Sequence, residues 1–147
     1  MSAKPEQAVN IFKEGYNCSQ AVISVYAEDF GLSLENALKI SSGFGSGMGR
    51  MAQTCGAVTG AFMVLGLKYV NADIRDKETR ERIYGLVREF ARRFENRNGS
   101  IICRELLDCD ISKPEGIANA KENGLFASVC PKMVGDAAGI LDEMINE

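Results

Sequence analysis

Ile83, Leu86, Val87, Phe90 and Phe94 recur every three or four residues in a stretch whose other positions are mostly Glu and Arg. That spacing places the apolar side chains on one face of an α-helix, and the same period governs the apolar residues through nearly the whole chain. No run of alternating β-branched residues reads as a strand. The expected fold is therefore all-α, a compact single-domain bundle of about six helices. A length of 147 residues suits one domain, and 46% hydrophobic with 25% charged residues supplies a core without the charge excess of a disordered chain.

Caps and glycines set the expected boundaries. The first helix runs from about Pro5, a favoured first-turn residue, with Ala8, Ile11 and Phe12 on one face, and stops at Gly15. Asn17, with Gln20 three residues later, predicts a capping box for a helix carrying Val22, Val25 and Tyr26 that ends at Gly31. Ser33 caps a short third helix reaching Ser41, and a fourth spans about Ala52 to Tyr69. The fifth, about Ile74 to Asn98, is stopped by Gly99. Its polar face interleaves Arg and Glu, with Glu78 to Arg82 and Glu89 to Arg93 at i,i+4, as expected of a solvated face laced with weak ion pairs rather than an anion-binding surface. A short turn of helix follows around Cys103 to Leu107, and Asp108 to Asn123 reads as a loop holding one short helix. Pro131 opens a last helix with Val134, Ala137, Ala138, Leu141, Met144 and Ile145 on its stripe.

The chain contains no histidine, which removes imidazole ligands, Ser-His-Asp and Cys-His catalysis, and the usual pH switch. A net charge of −3 gives no reason to expect a nucleic-acid partner. The polar start, Met1 to Glu6, lacks a secretory pattern, and the longest apolar stretch, Cys55 to Leu67, is too short for a membrane span. A cytoplasmic protein without membrane insertion is expected, with its five cysteines starting as thiols.

Two features invite chemistry. Gly43-Phe44-Gly45-Ser46-Gly47-Met48-Gly49-Arg50 alternates glycine with other residues, but it matches neither nucleotide-loop pattern and no strand precedes it. It reads as a loop that lets the chain pass close to the core or to a bound group, and Gly56 and Gly60, four apart, read as a site of close helix packing. The second feature is the cysteines: Cys18, Cys55, Cys103 and Cys130 all fall at expected helix N-termini, where unpaired N–H groups and the helix dipole favour a thiolate. Arg50 and Arg104 stand near Cys55 and Cys103 in sequence and would add to that effect. Cys109, flanked by Asp108 and Asp110, is expected to be incidental.

Cys55-Gly56-Ala57-Val58-Thr59-Gly60 reproduces a CGAxxG motif, and with Cys18 in Asn17-Cys18-Ser19-Gln20, Cys103 in Cys103-Arg104-Glu105-Leu106 and Cys130 before Pro131 it resembles the C_GCAxxG_C_C family of redox-active proteins. The resemblance runs from about Cys18 to the last helix. It implies a redox role, frequent encoding beside transporter genes, and no settled substrate. A similar segment is found in certain multihaem cytochromes, but this chain has no CxxCH and no histidine with which to hold haem in that manner. Cys109 lies outside the family pattern.

Three functions follow. The leading one is thiol redox, with two of Cys55, Cys18, Cys103 and Cys130 cycling between dithiol and disulfide. Here Cys55 is the expected nucleophile, kept approachable by its glycines and lowered in pKa by its helix start, with a redox partner or transporter component as the other party. The alternative is a module in which the same four cysteines hold zinc or an iron–sulfur cluster, although no CxxC pair is present. The third is a helical interaction protein with buried structural cysteines. A homodimer is compatible with all three.

Overall fold

Asn17 does what its neighbours predict. Its side chain accepts from the Gln20 amide at 2.9 Å while Gln20 Oε1 accepts from the Asn17 amide at 3.0 Å, a closed capping box that starts α2 (Cys18–Ser24) with Cys18 as its first residue. The computed structural model describes residues 3–147 and is all-α: α1 (Lys4–Lys13), α2, α3 (Leu34–Ser41), α4 (Gly45–Met48), α5 (Gly56–Tyr69), α6 (Lys77–Asn98), α7 (Cys103–Leu106), α8 (Pro114–Glu122), α9 (Leu125–Ser128) and α10 (Cys130–Ile145). Ser33 caps α3 and Gly99, at φ +87°, ends α6, as expected. Three expected boundaries shift. The second helix closes at Ser24 and a separate 3-10 turn, Glu28–Phe30, carries the chain to Gly31. The fourth expected helix starts at Gly56 rather than Ala52, because the residues before Cys55 are drawn into an antiparallel bridge. The fifth starts at Lys77, where the Asp76 carboxylate accepts from the Thr79 amide at 3.0 Å.

The three helices that matter most run parallel. Tyr26 and Ala138 lie the same number of residues beyond Cys18 and Cys130, and the buried Tyr26 hydroxyl sits 2.8 Å from the Ala138 carbonyl and 2.7 Å from Asp142 Oδ1. The segment led by Cys18 is thus tied to α10 in register, with both N-termini at one end of the molecule. Likewise the Tyr69 hydroxyl, at the end of α5, donates to the Met144 carbonyl at 3.4 Å near the end of α10. Helix α1 runs the opposite way, with Lys4 Nζ donating to the Val25 carbonyl at 2.7 Å. Helix α6 is also antiparallel to α10: Arg93 pairs with Glu147 at 2.7 Å and Arg97 with Glu143 at 2.6 Å. Between them lie the fully buried Tyr26, Phe90, Phe94, Leu65 and Leu141. Phe62 meets Phe90 edge-on at 6.0 Å between centroids.

Close packing of α2 on α5 explains the two motif glycines. A Cβ at Gly60 would stand 2.7 Å from the Ser19 carbonyl oxygen, and one at Gly56 would stand 3.0 Å from the Phe44 carbonyl oxygen and 3.1 Å from the Ser19 amide. Only hydrogen fits between those backbones, as the sequence led us to expect. The face of α6 is solvated, with Glu89 pairing to Arg93 and Arg92, both at 2.6 Å. The expected Glu78 to Arg82 pair does not form; the Arg82 guanidinium instead lies 5.2 Å from the centre of the Tyr69 ring. Among the described residues, no single helix is long and apolar enough to cross a membrane.

Candidate functional site

The four family cysteines arrive at the same end by four local devices. Cys18 opens α2 behind its capping box, Cys55 is the N-cap residue of α5, Cys103 opens α7, and Cys130 opens α10 with Pro131 in its first turn. Cys55 and Cys103 are brought together by the antiparallel bridge between Thr54 and Ile102, in which the Cys55 amide donates to the Ile101 carbonyl at 2.8 Å and the Cys103 amide to the Gln53 carbonyl at 2.6 Å. That pattern places Cys55 and Cys103 diagonally on one face of the paired segments.

The glycine-rich stretch makes that bridge reachable. Ser46, Gly47, Met48, Gly49 and Arg50 all have φ between 56° and 68°, so α4 is not a right-handed helix but part of a left-handed turn that single residues adopt and runs rarely do. Gly47 and Gly49 relieve two of the five positions. Gly47 is required twice over, since a Cβ there would lie 2.6 Å from the Gln53 amide nitrogen. The turn is held by the Gln53 amide donating to the Gly47 carbonyl at 3.0 Å, and it aims Ala52 to Cys55 at the 101–103 segment. The expectation of a loop passing close to the core holds; its left-handed course had no signal in the sequence beyond the glycines themselves.

Cys18, Cys55, Cys103 and Cys130 line one cavity of about 140 Å³, together with Asn17, Ser46, Gly47 and a largely apolar wall that includes Phe12, Leu107, Phe126 and Met133. No Asp, Glu, Lys or Arg lines it. Cys109 lies outside it, half-buried, with its thiol donating to the Gly116 carbonyl at 3.7 Å. Arg50 and Arg104 also stay out of the cavity; the Arg104 guanidinium donates to the Ala52 carbonyl at 3.2 Å, so the expected help from these two cations is not delivered. Phe12 was expected only on the apolar face of the first helix, and neither Leu107 nor Met133 was expected at the site. A signal existed only for Met133, one helical turn beyond Cys130.

The cysteines are electrostatically unequal. Cys18 and Cys130 each shift the other's proton affinity: Cys130, together with burial, holds the Cys18 thiol well above its ordinary pKa, while Cys18 pulls Cys130 down against its own partial burial. Cys130 also stands at the N-terminus of a sixteen-residue helix, which favours its thiolate. Cys55 was expected to be lowered and open to approach. It is 6% exposed, and burial pushes it up to about 11; the Ala57 and Val58 amides at the start of α5 pull the other way without closing a capping bond, and they lose. Cys103 is pushed up to about 12 by burial and then by the neighbouring Cys55, Cys130, Cys109 and Asp110. Among the described residues, no three Cys, Asp or Glu side chains are grouped closely enough to hold a metal ion.

No curated protein and no solved structure matches the chain. One family model does, that of the "Putative redox-active protein (C_GCAxxG_C_C)", over residues 16–144, a span that takes in all four cavity cysteines. With most of the chain matched, the protein belongs to the C_GCAxxG_C_C family.

Proposed function

We propose that the protein is a thiol–disulfide redox protein whose working pair is Cys130 and Cys18. The observation that carries this reading is that the two side chains line one cavity at the matched ends of the parallel segments they lead, near enough for each to shift the other's proton affinity. Cys130 is the attacking sulfur, since it is the less buried of the two, opens α10, and is pulled below its ordinary pKa beside Cys18. Its thiolate attacks one sulfur of an oxidised partner's disulfide; a mixed disulfide forms and the partner's other sulfur leaves as a thiolate that takes up a proton. Cys18 then gives up its proton and attacks Cys130 Sγ, forming the Cys18–Cys130 disulfide and releasing the partner's second thiol. Two electrons pass from this protein to the partner, and a dithiol reductant returns them. Cys55 and Cys103 stay protonated beside the pair. On the family resemblance, the partner belongs to a membrane transport or electron-transfer system, and the reduced resting state suits the cytoplasm.

The test is a thiol count on protein purified without oxygen, before and after a mild diamide oxidation, with the disulfide located by peptide mapping. The reading expects two thiols to be lost reversibly and one disulfide joining Cys18 to Cys130. A pair that excludes Cys130, or undiminished loss of two thiols in Cys18→Ser, would overturn it.

A further inference from the structure

The sulfur in the cavity is not confined to cysteine. Met133 follows Cys130 by one turn of α10, is 6% exposed, and lines the same cavity, so a thioether and a thiol share one helix face while Cys18 enters the cavity from α2, at the matched end of the segment held in register with α10. Five sulfurs thus line the cavity, with no carboxylate or imidazole, and of these Cys18, Cys130 and Met133 come from the two segments held in register by the Tyr26 hydroxyl. Divalent ions that need three or four thiolate, imidazole or carboxylate ligands find no such group among the described residues. A soft monovalent cation of filled d shell has a smaller requirement: two thiolates bind it nearly in line, and a thioether serves as a weak third donor. The cavity, about 140 Å³ with no charged lining residue, has room for a bare ion but gives a hydrated one little to bind.

We propose that Cys18 and Cys130, with Met133 as third donor, form a copper(I) site. Binding forms two copper–thiolate bonds and releases the two thiol protons to solvent; neither copper nor sulfur changes oxidation state. The bis-thiolate complex carries a single negative charge, which rests at the N-terminus of the sixteen-residue α10, with no acidic side chain in the wall to oppose it. This site uses the cysteines of the redox pair but does not depend on their cycling, so the two readings stand or fall separately.

The experiment titrates the full, reduced chain with copper(I) under anaerobic conditions against the chromophoric chelator bicinchoninate. One equivalent is expected to leave the chelator for the protein. Cys130→Ser and Cys18→Ser each abolish that transfer, Cys109→Ser leaves it unchanged, and Met133→Leu, which keeps the side-chain volume, weakens affinity about tenfold. Copper-edge X-ray absorption gives three sulfur neighbours in the native protein and two in Met133→Leu, a change that a merely structural role for the methionine would not produce. Transfer that survives in Cys130→Ser, an unaltered sulfur count in Met133→Leu, or displacement of the copper by equimolar zinc would each overturn the site. A separate copper-free diamide oxidation reports the Cys18–Cys130 disulfide, so failure of the redox reading is seen independently.

Discussion

The two sides of the cysteine cavity carry the same residue type in nearly the same local setting and end with opposite proton affinities. On one side Cys130 opens α10 and is pulled below its ordinary pKa beside Cys18; on the other, Cys55 stands at the start of α5, faced by two amides, and is pushed up to about 11. The difference lies in burial and partners. Cys55 is 6% exposed, while Cys130 keeps some exposure and has Cys18 beside it. The field of a helix N-terminus favours a thiolate only modestly, and full burial outweighs it.

The largest effect that would break this comparison is on oxidation. Cys130→Ser and Cys18→Ser are each expected to abolish the reversible loss of two thiols, and Cys55→Ser to preserve it, as read by thiol titration after diamide treatment. If Cys55→Ser is the variant that abolishes it, the two sides have been assigned the wrong way round.

Reactivity sharpens the same contrast. At pH 7 to 8, iodoacetamide followed by mass mapping is expected to modify Cys130 ahead of Cys55 and Cys103, and Cys18→Ala to shift the pH profile of Cys130 alkylation upward, because the thiol that favours its thiolate is gone.

A stability effect of about 2–3 kcal/mol comes from the buried side. Cys55 has a raised pKa in the folded chain, so its contribution is fully present below the thiol's ordinary value near 9 and is lost as pH rises through about 11. The urea midpoint should therefore fall between those two pH values, and fall less in Cys55→Ala. A midpoint flat across that range in the native protein would show that Cys55 ionises without hindrance. A comparable loss, about 1–3 kcal/mol, is expected for Gly60→Ala, whose Cβ would press on the Ser19 carbonyl and force α2 from α5; the denaturation midpoint measures it.

The smallest effect is at the surface of α6. Removing the Glu89 charge as Glu89→Gln should leave both the denaturation midpoint and the thiol count unchanged within error, because its pairs with Arg92 and the half-buried Arg93 lie at the surface, where water screens them, and Arg93 keeps Glu147 as a partner. A measurable change in either would tie this face to the cavity.

Much of the fold was legible because its signals are local. The Asn17 capping box, the Ser33 cap, the stop at Gly99 and the stripe of α6 depend on residues within a few positions of one another, and each formed as expected. The placement of four cysteines at helix N-termini was legible for the same reason. The late start of α5 was not, because Ala52 to Cys55 are held by hydrogen bonds to residues 101–103, and no local signal reports a partner so far along the chain.

By itself the amino-acid sequence determined an all-α chain of the C_GCAxxG_C_C family with its four cysteines at helix starts, since helical period, caps and motif are short-range properties of the residues. Only the tertiary structure decided which sulfur meets which and which keeps its proton. Three helices packed in parallel, Gly56 and Gly60 admitting the backbone of α2, and the left-handed turn at Ser46 to Arg50 together bring the four cysteines to one cavity and bury Cys55. Proton affinity follows burial and the neighbouring thiol, and both are set by segments distant along the chain.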